Sequence, residues 1–391
     1  MDFDFSPEEI AFQEEVEAFL AANASPEVMD PNPEQLSQTV DTPPKRAFMR
    51  KLAARGWLGM SWPKRYGGRE KSGIYDFLLT EALSRRGAPQ PGKGVGIVGR
   101  TIIRHGNDAL KDFFLPRIIR GEIEFAIGYS EPQAGSDAAN MQLRATRVAG
   151  GWRLDGRKIW TTSAHFADWY WVGARTDTSH KHKGITLFLV EMDHPGLTIH
   201  PTMTIGDERT NEVFFDDVFV ADDFVVGEVN RGWTYICEAL DLERFAMMPV
   251  GPLEKKVEAL VDWVRGAQRD GAPVRESRRA RSAVARAATE LEVARMLQRR
   301  VISEALEDRV PTVQSSQYKL FMNELGQRVA NAALDLMGAA GQLAPRTADA
   351  PLGGRFERSY RYTVVDTIGG GTSEIQKNII ARRGLGLPPS F

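Results

Sequence analysis

The apolar residues of this chain change their period twice, and that change limits the fold more than any other feature. From about residue 125 to 226 the helical spacing is lost. Trp152, Arg153 and Leu154 alternate, Asp155-Gly156 is a hairpin turn signal, and residues 185–192 and 212–220 are rich in β-branched and aromatic side chains. Such side chains suit a pleated, half-buried surface, so the block reads as a small antiparallel β domain. Before it, Ser6-Pro7-Glu8-Glu9 marks a helix start. Ser6 is placed to cap, Pro7 suits the first turn, and Glu9 closes a capping box. Phe12, Val16, Phe19 and Leu20 follow at helical spacing. Residues 43–55 and 108–120 read as further helices closed by Gly56 and Gly121, with Pro116 a site for a bend. After Gly227 the helical period returns. Val284, Ala288, Leu291, Ala294, Leu297 and Val301 form one stripe, and the arginines of 275–300 read as its solvated face. The expected architecture is an α+β multidomain chain. It has a helical domain over 1–124, a middle antiparallel β domain over 125–226 and a C-terminal helical bundle over 227–391.

Composition removes several classes of function. Fifty basic and 52 acidic residues leave a formal charge of -2, a balance that argues against nucleic acid as a partner. One cysteine excludes an internal disulfide or a CxxC motif and fits a reducing compartment. Cys237, among Trp233, Tyr235, Ile236 and Leu240, reads as a buried packing residue. The acidic start MDFDFSPEEI lacks the pattern of a secretion signal, and no apolar run has the length of a membrane span, so a cytoplasmic location is expected. The six histidines show no HExxH and no metal-ligand spacing, and His180 and His182 read as solvated loop residues. No GxSxG elbow is present. Gly94, Gly96 and Gly99 match GxGxxG without the preceding strand that a dinucleotide site needs. Residues 87–94 resemble a phosphate loop but lack the hydroxyl after the lysine.

Four segments carry chemistry. GYSEPQAGSD, residues 128–137, offers hydroxyls and backbone N–H groups to a flat heterocycle or a phosphate. GRKIWTT, residues 156–162, puts a tryptophan and two threonines on a strand, where the tryptophan reads as core or as a cover for a ring. LDLERF, residues 240–245, places a glutamate among apolar residues. That is a surface ion pair with Arg244 or, if buried beside a ligand, a base. IGGGTSEIQ, residues 368–376, permits close backbone approach at three glycines, with Thr372 capping the helix that follows.

In this order, YSEPQAGSD, KIWTTSAH, NEVFFDDVFV and GGGTSEIQ make the whole chain resemble the acyl-CoA dehydrogenase family. The resemblance implies the family fold, with a helical N-terminal domain, a middle β domain and a C-terminal four-helix bundle. It also implies FAD between the β domain and the bundles, a tetramer, and electron transfer to an electron-transfer flavoprotein. The implied reaction is α,β-dehydrogenation of an acyl-CoA. By motif, Tyr129 and Ser130 line the flavin, while Trp160, Thr161 and Thr162 cover its ring and bond near N5. Thr372, Ser373 and Glu374 contact FAD. Ser136 lies near the CoA, and Asp241, Arg244 and Gly371 border the substrate.

Most members place the catalytic glutamate just before the Gly-Thr of the last motif, where this chain has Gly370. A minority, including the isovaleryl-CoA dehydrogenase type, place it on the first bundle helix, which corresponds to Glu243. Gly370 then offers its N–H to the thioester carbonyl. The family's Arg-x-x-Phe-Gly stretch, which reaches a neighbouring subunit's FAD, is replaced by RDGAPVRESRRARS. Relatives with such changes include heterotetramers acting on steroid side chains or other bulky acyl groups. Three readings therefore stand open: an active homotetramer, a half-site or non-catalytic subunit of a heteromer, and a flavin monooxygenase on the same fold.

Overall fold

The computed structural model describes residues 5–35, 37–246, 249–306 and 311–388, without side chains for 241–246 and 305–306. The N-terminal layer contains α1 (Pro7–Asn23), α2 (Pro43–Ala54), α3 (Gly73–Arg86), a π-helical turn (Gly94–Val98), α4 (Gly99–His105) and α5 (Asp108–Ile119). The capping box of α1 is complete. Glu9 N–H donates to Ser6 Oγ at 3.3 Å and Ser6 N–H donates to Glu9 Oε2 at 2.8 Å. Gly56 and Gly121 follow α2 and α5 with left-handed φ of 67° and 64°, the conformation that ends a helix at a residue without Cβ. Val16, Leu20, Leu52, Leu79 and Leu83 close the core of this layer, with Phe12 and Phe19 set edge-on to Trp57.

The middle layer is an eight-stranded sheet of β1 (Phe125–Gly128), β2 (Arg144–Val148), β3 (Gly151–Lys158), β4 (Trp169–Arg175), β5 (Ile185–Glu191), β6 (Leu197–Met203), β7 (Arg209–Ala221) and β8 (Val225–Val226). Its order is β6-β7-β3-β2-β4-β5-β8, with β1 beside β4. The sheet is antiparallel except at β4, where β1 pairs in parallel and β2 meets it in parallel at Arg144–Arg175. Neither connection to β4 is a hairpin, and parallel neighbours need a crossover. Asp155-Gly156 is not a turn. It lies inside β3, across from a bulge of β7 where Asp216 and Asp217 stand opposite Asp155. The β2–β3 turn falls instead at Ala149-Gly150, with Gly150 at φ 75°.

The C-terminal layer holds α6 (Gly232–Ala246), α7 (Gly251–Gly266), α8 (Arg278–Leu306), α9 (Thr312–Met337), α10 (Arg355–Asp366) and α11 (Ser373–Ile379). Leu260, Leu291, Leu325 and Phe356 show that α7 to α10 share one core. By contrast, α6 gives Tyr235 and Ile236 to a core shared with Phe114, Trp171 and Leu187. The α8 stripe differs from expectation at one position. Ala287 is buried and Ala288 exposed, because the seam runs through Ala280, Ala287, Leu291, Ala294 and Val301 at near-heptad spacing. Cys237 is only half-buried, since Ile236 and Ala239 take the inward positions. Two glycines of the GxGxxG match, Gly94 and Gly99, serve packing, while Gly96 faces open space. A Cβ on Gly94 would lie 3.1 Å from the Phe125 ring, and one on Gly99 would lie 2.2 Å from Trp62. No described helix is long and apolar enough to cross a membrane.

Candidate active site

The first loop leaves β1 at Gly128, where a Cβ would come within 2.5 Å of the Tyr170 hydroxyl. Tyr129 follows, half-buried, its hydroxyl accepting from Trp171 Nε1 at 2.7 Å. Ser130 is half-buried as well, and its carbonyl receives the Ile159 N–H at 3.0 Å. The loop then folds around a buried carboxylate. Glu131 accepts from Lys158 Nζ at 2.8 Å, from Gln133, and from the N–H groups of Gln142 and Leu143 at 2.6 and 2.8 Å. The Lys158 and Glu131 side chains are 0% and 2% exposed. Burial pulls the Lys158 ammonium below the usual lysine range, with Glu131 opposing. Ser136 sits at the exposed tip of the loop.

The second loop begins where β3 ends. Trp160 lies just past the strand with φ 60° and is 57% exposed, so it is not a core residue. A bulky side chain in the left-handed region is an outlier that its surroundings must enforce. The enforcement is visible on both sides. Ile159 N–H is held by Ser130, Thr161 N–H donates to the Asn211 carbonyl at 3.0 Å, and Asn211 Nδ2 donates back to the Thr161 carbonyl at 2.8 Å. Thr161 is buried, its Oγ1 2.8 Å from the Tyr170 hydroxyl, while Thr162 is half-buried. The backbone thus turns the indole out of the sheet. Replacing Trp160 by glycine relieves the left-handed strain, of order 1–2 kcal/mol, and loosens the unfolded chain by about 0.5–1 kcal/mol. The expected result is an apoprotein that melts near the wild-type apoprotein, while the variant as purified retains less flavin, read as absorbance at 450 nm per chain. Full flavin retention would remove Trp160 from the site.

Under this loop lies a cluster absent from the sequence-based expectations. Lys93 Nζ donates to Ser163 Oγ at 2.9 Å, and Arg46 bridges Asp168 at 3.0 Å. The Glu124 carboxyl packs so close to Gly92 that a Cβ there would meet it at 2.2 Å. Desolvation raises this carboxyl from 4.5 to about 8, with Asp168 adding to the rise and Arg46 and Lys93 opposing it. A raised carboxylate pKa means that the folded chain holds a proton the unfolded chain has lost. Its stabilising share is complete below about pH 4.5 and is lost as pH rises through about 8. Thermal melts from pH 5 to 9 should therefore fall more steeply for the wild type than for Glu124→Gln; parallel curves would contradict this assignment.

The third loop joins α10 to α11. Gly370 and Gly371 have φ of 66° and 96°. Thr372 caps α11, its Oγ1 accepting from Ile375 N–H at 3.2 Å. Ser373 is half-buried and Glu374 exposed. The Glu374 carboxylate is held below its ordinary value by its own N–H first and by Thr372 second. Lys319 Nζ and Asn323 Nδ2 of α9 both donate to the Asp366 carbonyl, the lysine at 3.2 Å, and so anchor the end of α10. Asp241, Glu243 and Arg244 fall on the last turns of α6, where side chains lie outside the described residues. No group of three or more His, Cys, Asp or Glu placed to hold a metal occurs among the described residues. Lys158 had one legible signal, the same strand parity as buried Trp152 and Leu154. Glu131 had none, because its sequence context is that of a turn.

The chain is built as helices, sheet and helices, with the three loops carried by the sheet and the C-terminal helices. The chain belongs to the acyl-CoA dehydrogenase family. It matches the family's N-terminal domain over residues 6–122, its middle domain over 126–218 and its C-terminal domain over 230–385. It is 30% identical to acyl-CoA dehydrogenase FadE26 of Mycobacterium tuberculosis, over 99% of both chains. Two solved structures superpose over 100% of both chains. They are the Tcur3481-Tcur3483 steroid ACAD, at 32% identity and a TM-score of 0.88, and the ChsE4-ChsE5 complex from Mycobacterium tuberculosis, at 30% and 0.89. The family's expected fold and activity class hold for this chain.

Proposed function

We propose that this chain binds FAD and desaturates a bulky or branched acyl-CoA, with Glu243 removing the α-proton. The observation that carries the assignment is Gly370. It is exposed, left-handed and without a side chain at the position where most relatives hold their base. The residues fit a flavin. Trp160 offers an exposed aromatic face, and Tyr129, Ser130, Thr161, Thr162, Thr372, Ser373 and Glu374 offer polar edges. When bound, FAD supplies a hydride acceptor at N5, from which an electron-transfer flavoprotein takes the electrons. The chain's own residues do the rest. The Glu243 carboxylate takes the α-proton, the Gly370 N–H bonds the thioester oxygen as negative charge develops there, and Ser136 sits at the CoA side. Asp241, Arg244 and Gly371 border the acyl group. A steroid ACAD among the similar structures supports a bulky substrate. A panel of acyl-CoAs differing in length, branching and ring content, scored by flavin bleaching, tests this directly. A yellow protein bleached by none of them would refute it.

A heteromeric assembly is the second reading, favoured by one observation. Where the family's Arg-x-x-Phe stretch would face a neighbour, Arg269 folds back. Its Nη1 donates to the Asp335 and Leu336 carbonyls of its own α9 at 3.4 and 3.2 Å. The ChsE4-ChsE5 complex supports the same direction. Light scattering and flavin content of the chain purified alone distinguish the cases. A flavin-replete homotetramer supports the homomer, and a colourless chain rescued by a co-expressed partner supports the heteromer.

A further inference from the structure

Gln376, the last residue of the glycine-rich motif, is 0% exposed and points back into the loop that precedes it. Its Nε2 donates to the carbonyls of Gly370 at 3.4 Å and Gly371 at 3.1 Å. A Cβ on Gly371 would lie 2.7 Å from that nitrogen, so the contact requires glycine. Its Oε1 is buried without a partner among the described residues, and an amide turned the other way would set oxygen against two carbonyl oxygens. The orientation is therefore determined by the loop. In a trans peptide the C=O and the following N–H point in opposite directions. Drawing the Gly370 and Gly371 carbonyls inward turns the Gly371 and Thr372 N–H groups outward. Neither of these, nor the Gly370 N–H, has an acceptor among the described residues. Gly370 and Gly371 have positive φ, and consecutive N–H groups turned to one side in such a turn make a concave surface for negative charge.

We infer that Gln376 is a positioning residue for the dehydrogenation, and that by holding the Gly370 and Gly371 carbonyls it aims the Gly371 and Thr372 N–H groups, beside the Gly370 N–H, at the thioester oxygen. The inference rests on the function proposed above. Binding of acyl-CoA and FAD uses many other contacts, whereas charge on that oxygen appears only in the transition state. The loss therefore falls on kcat. The test is single-turnover bleaching of the holoenzyme with octanoyl-CoA, isovaleryl-CoA and phenylpropionyl-CoA. Gln376→Leu should bleach about 10–100-fold more slowly, somewhat less than the loss of a whole oxyanion donor, with flavin content and KM within about threefold of wild type. Gln376→Glu gives a signature that a purely structural role lacks. Its protonated carboxyl donates to the carbonyls and its ionised form repels them, so activity relative to wild type should recover as pH falls from 9 to 6. If Gln376→Leu does not fold, this pH series decides alone. An unchanged bleaching rate, a loss of FAD in proportion to rate, or a flat pH ratio overturns the positioning role. A wild type bleached by none of the three overturns the role together with the proposed function.

Discussion

Glu243→Gln is expected to slow acyl-CoA-dependent flavin bleaching by about a thousandfold, within the range of about 10²–10⁴ for loss of a positioned general base. Flavin content and acyl-CoA binding should change little, because glutamine keeps the volume and removes only the negative oxygen that accepts the proton. The size of the effect follows from the residue at 370. Gly370 has no side chain to substitute as base. Gly370→Glu in the Glu243→Gln background is a reciprocal test. A Cβ at 370 would sit 3.4 Å from Lys319 Cε, an ordinary contact, so the first carbon of a side chain fits there. The left-handed φ of 66° makes it strained, which limits recovery to a fraction of wild type. A Glu243→Gln enzyme that bleaches at the wild-type rate assigns the base elsewhere.

Lys158→Met is expected to destabilise the protein by about 3–5 kcal/mol, the usual result of removing one partner of a buried ion pair. Glu131 would remain buried without its ion-pair partner, since the Arg175 guanidinium, which also feels the Glu131 charge, bonds the Met141 and Ala139 carbonyls, and the two backbone N–H groups and the glutamine that Glu131 holds cannot neutralise it. The double variant Glu131→Gln, Lys158→Met should recover most of that loss, because the expensive species is the lone charge and not the absent pair. Chemical denaturation with fluorescence readout measures both. A single variant as stable as the wild type would mean that water reaches Glu131. Flavin retention should fall with the single variant too, since Glu131 holds the loop that carries Tyr129 and Ser130.

Local rules made some of this molecule legible in advance. The capping box at Ser6 and Glu9, the left-handed glycines after α2 and α5, and the β texture of 185–192 and 212–220 all appear where expected. Each depends on neighbours within a few residues. The errors share the opposite property. Asp155-Gly156 has the chemistry of a turn, but β7 pairs along both sides of it and keeps it inside a strand. Ala287 replaces Ala288 in the α8 seam because the direction of the neighbouring helices, not the helical period, decides which alanine turns inward. For Trp160 the sequence left core and ring cover both open, and exposure was decided by Ser130 and Asn211, 30 residues upstream and 51 downstream by their numbers, which hold the backbone on either side.

The sequence alone determined the order of helical and β segments, the family, and the absence of a carboxylate at 370, because these are properties of residue identity and short-range spacing. Only the tertiary structure decided that Glu131 and Lys158 form a dry pair under the first loop, that Glu124 keeps its proton to about pH 8, and that Gln376 clamps the glycine carbonyls. Burial of a charge and the direction of a peptide N–H depend on which distant segments exclude water and which acceptors face them. No residue carries that information in its own name.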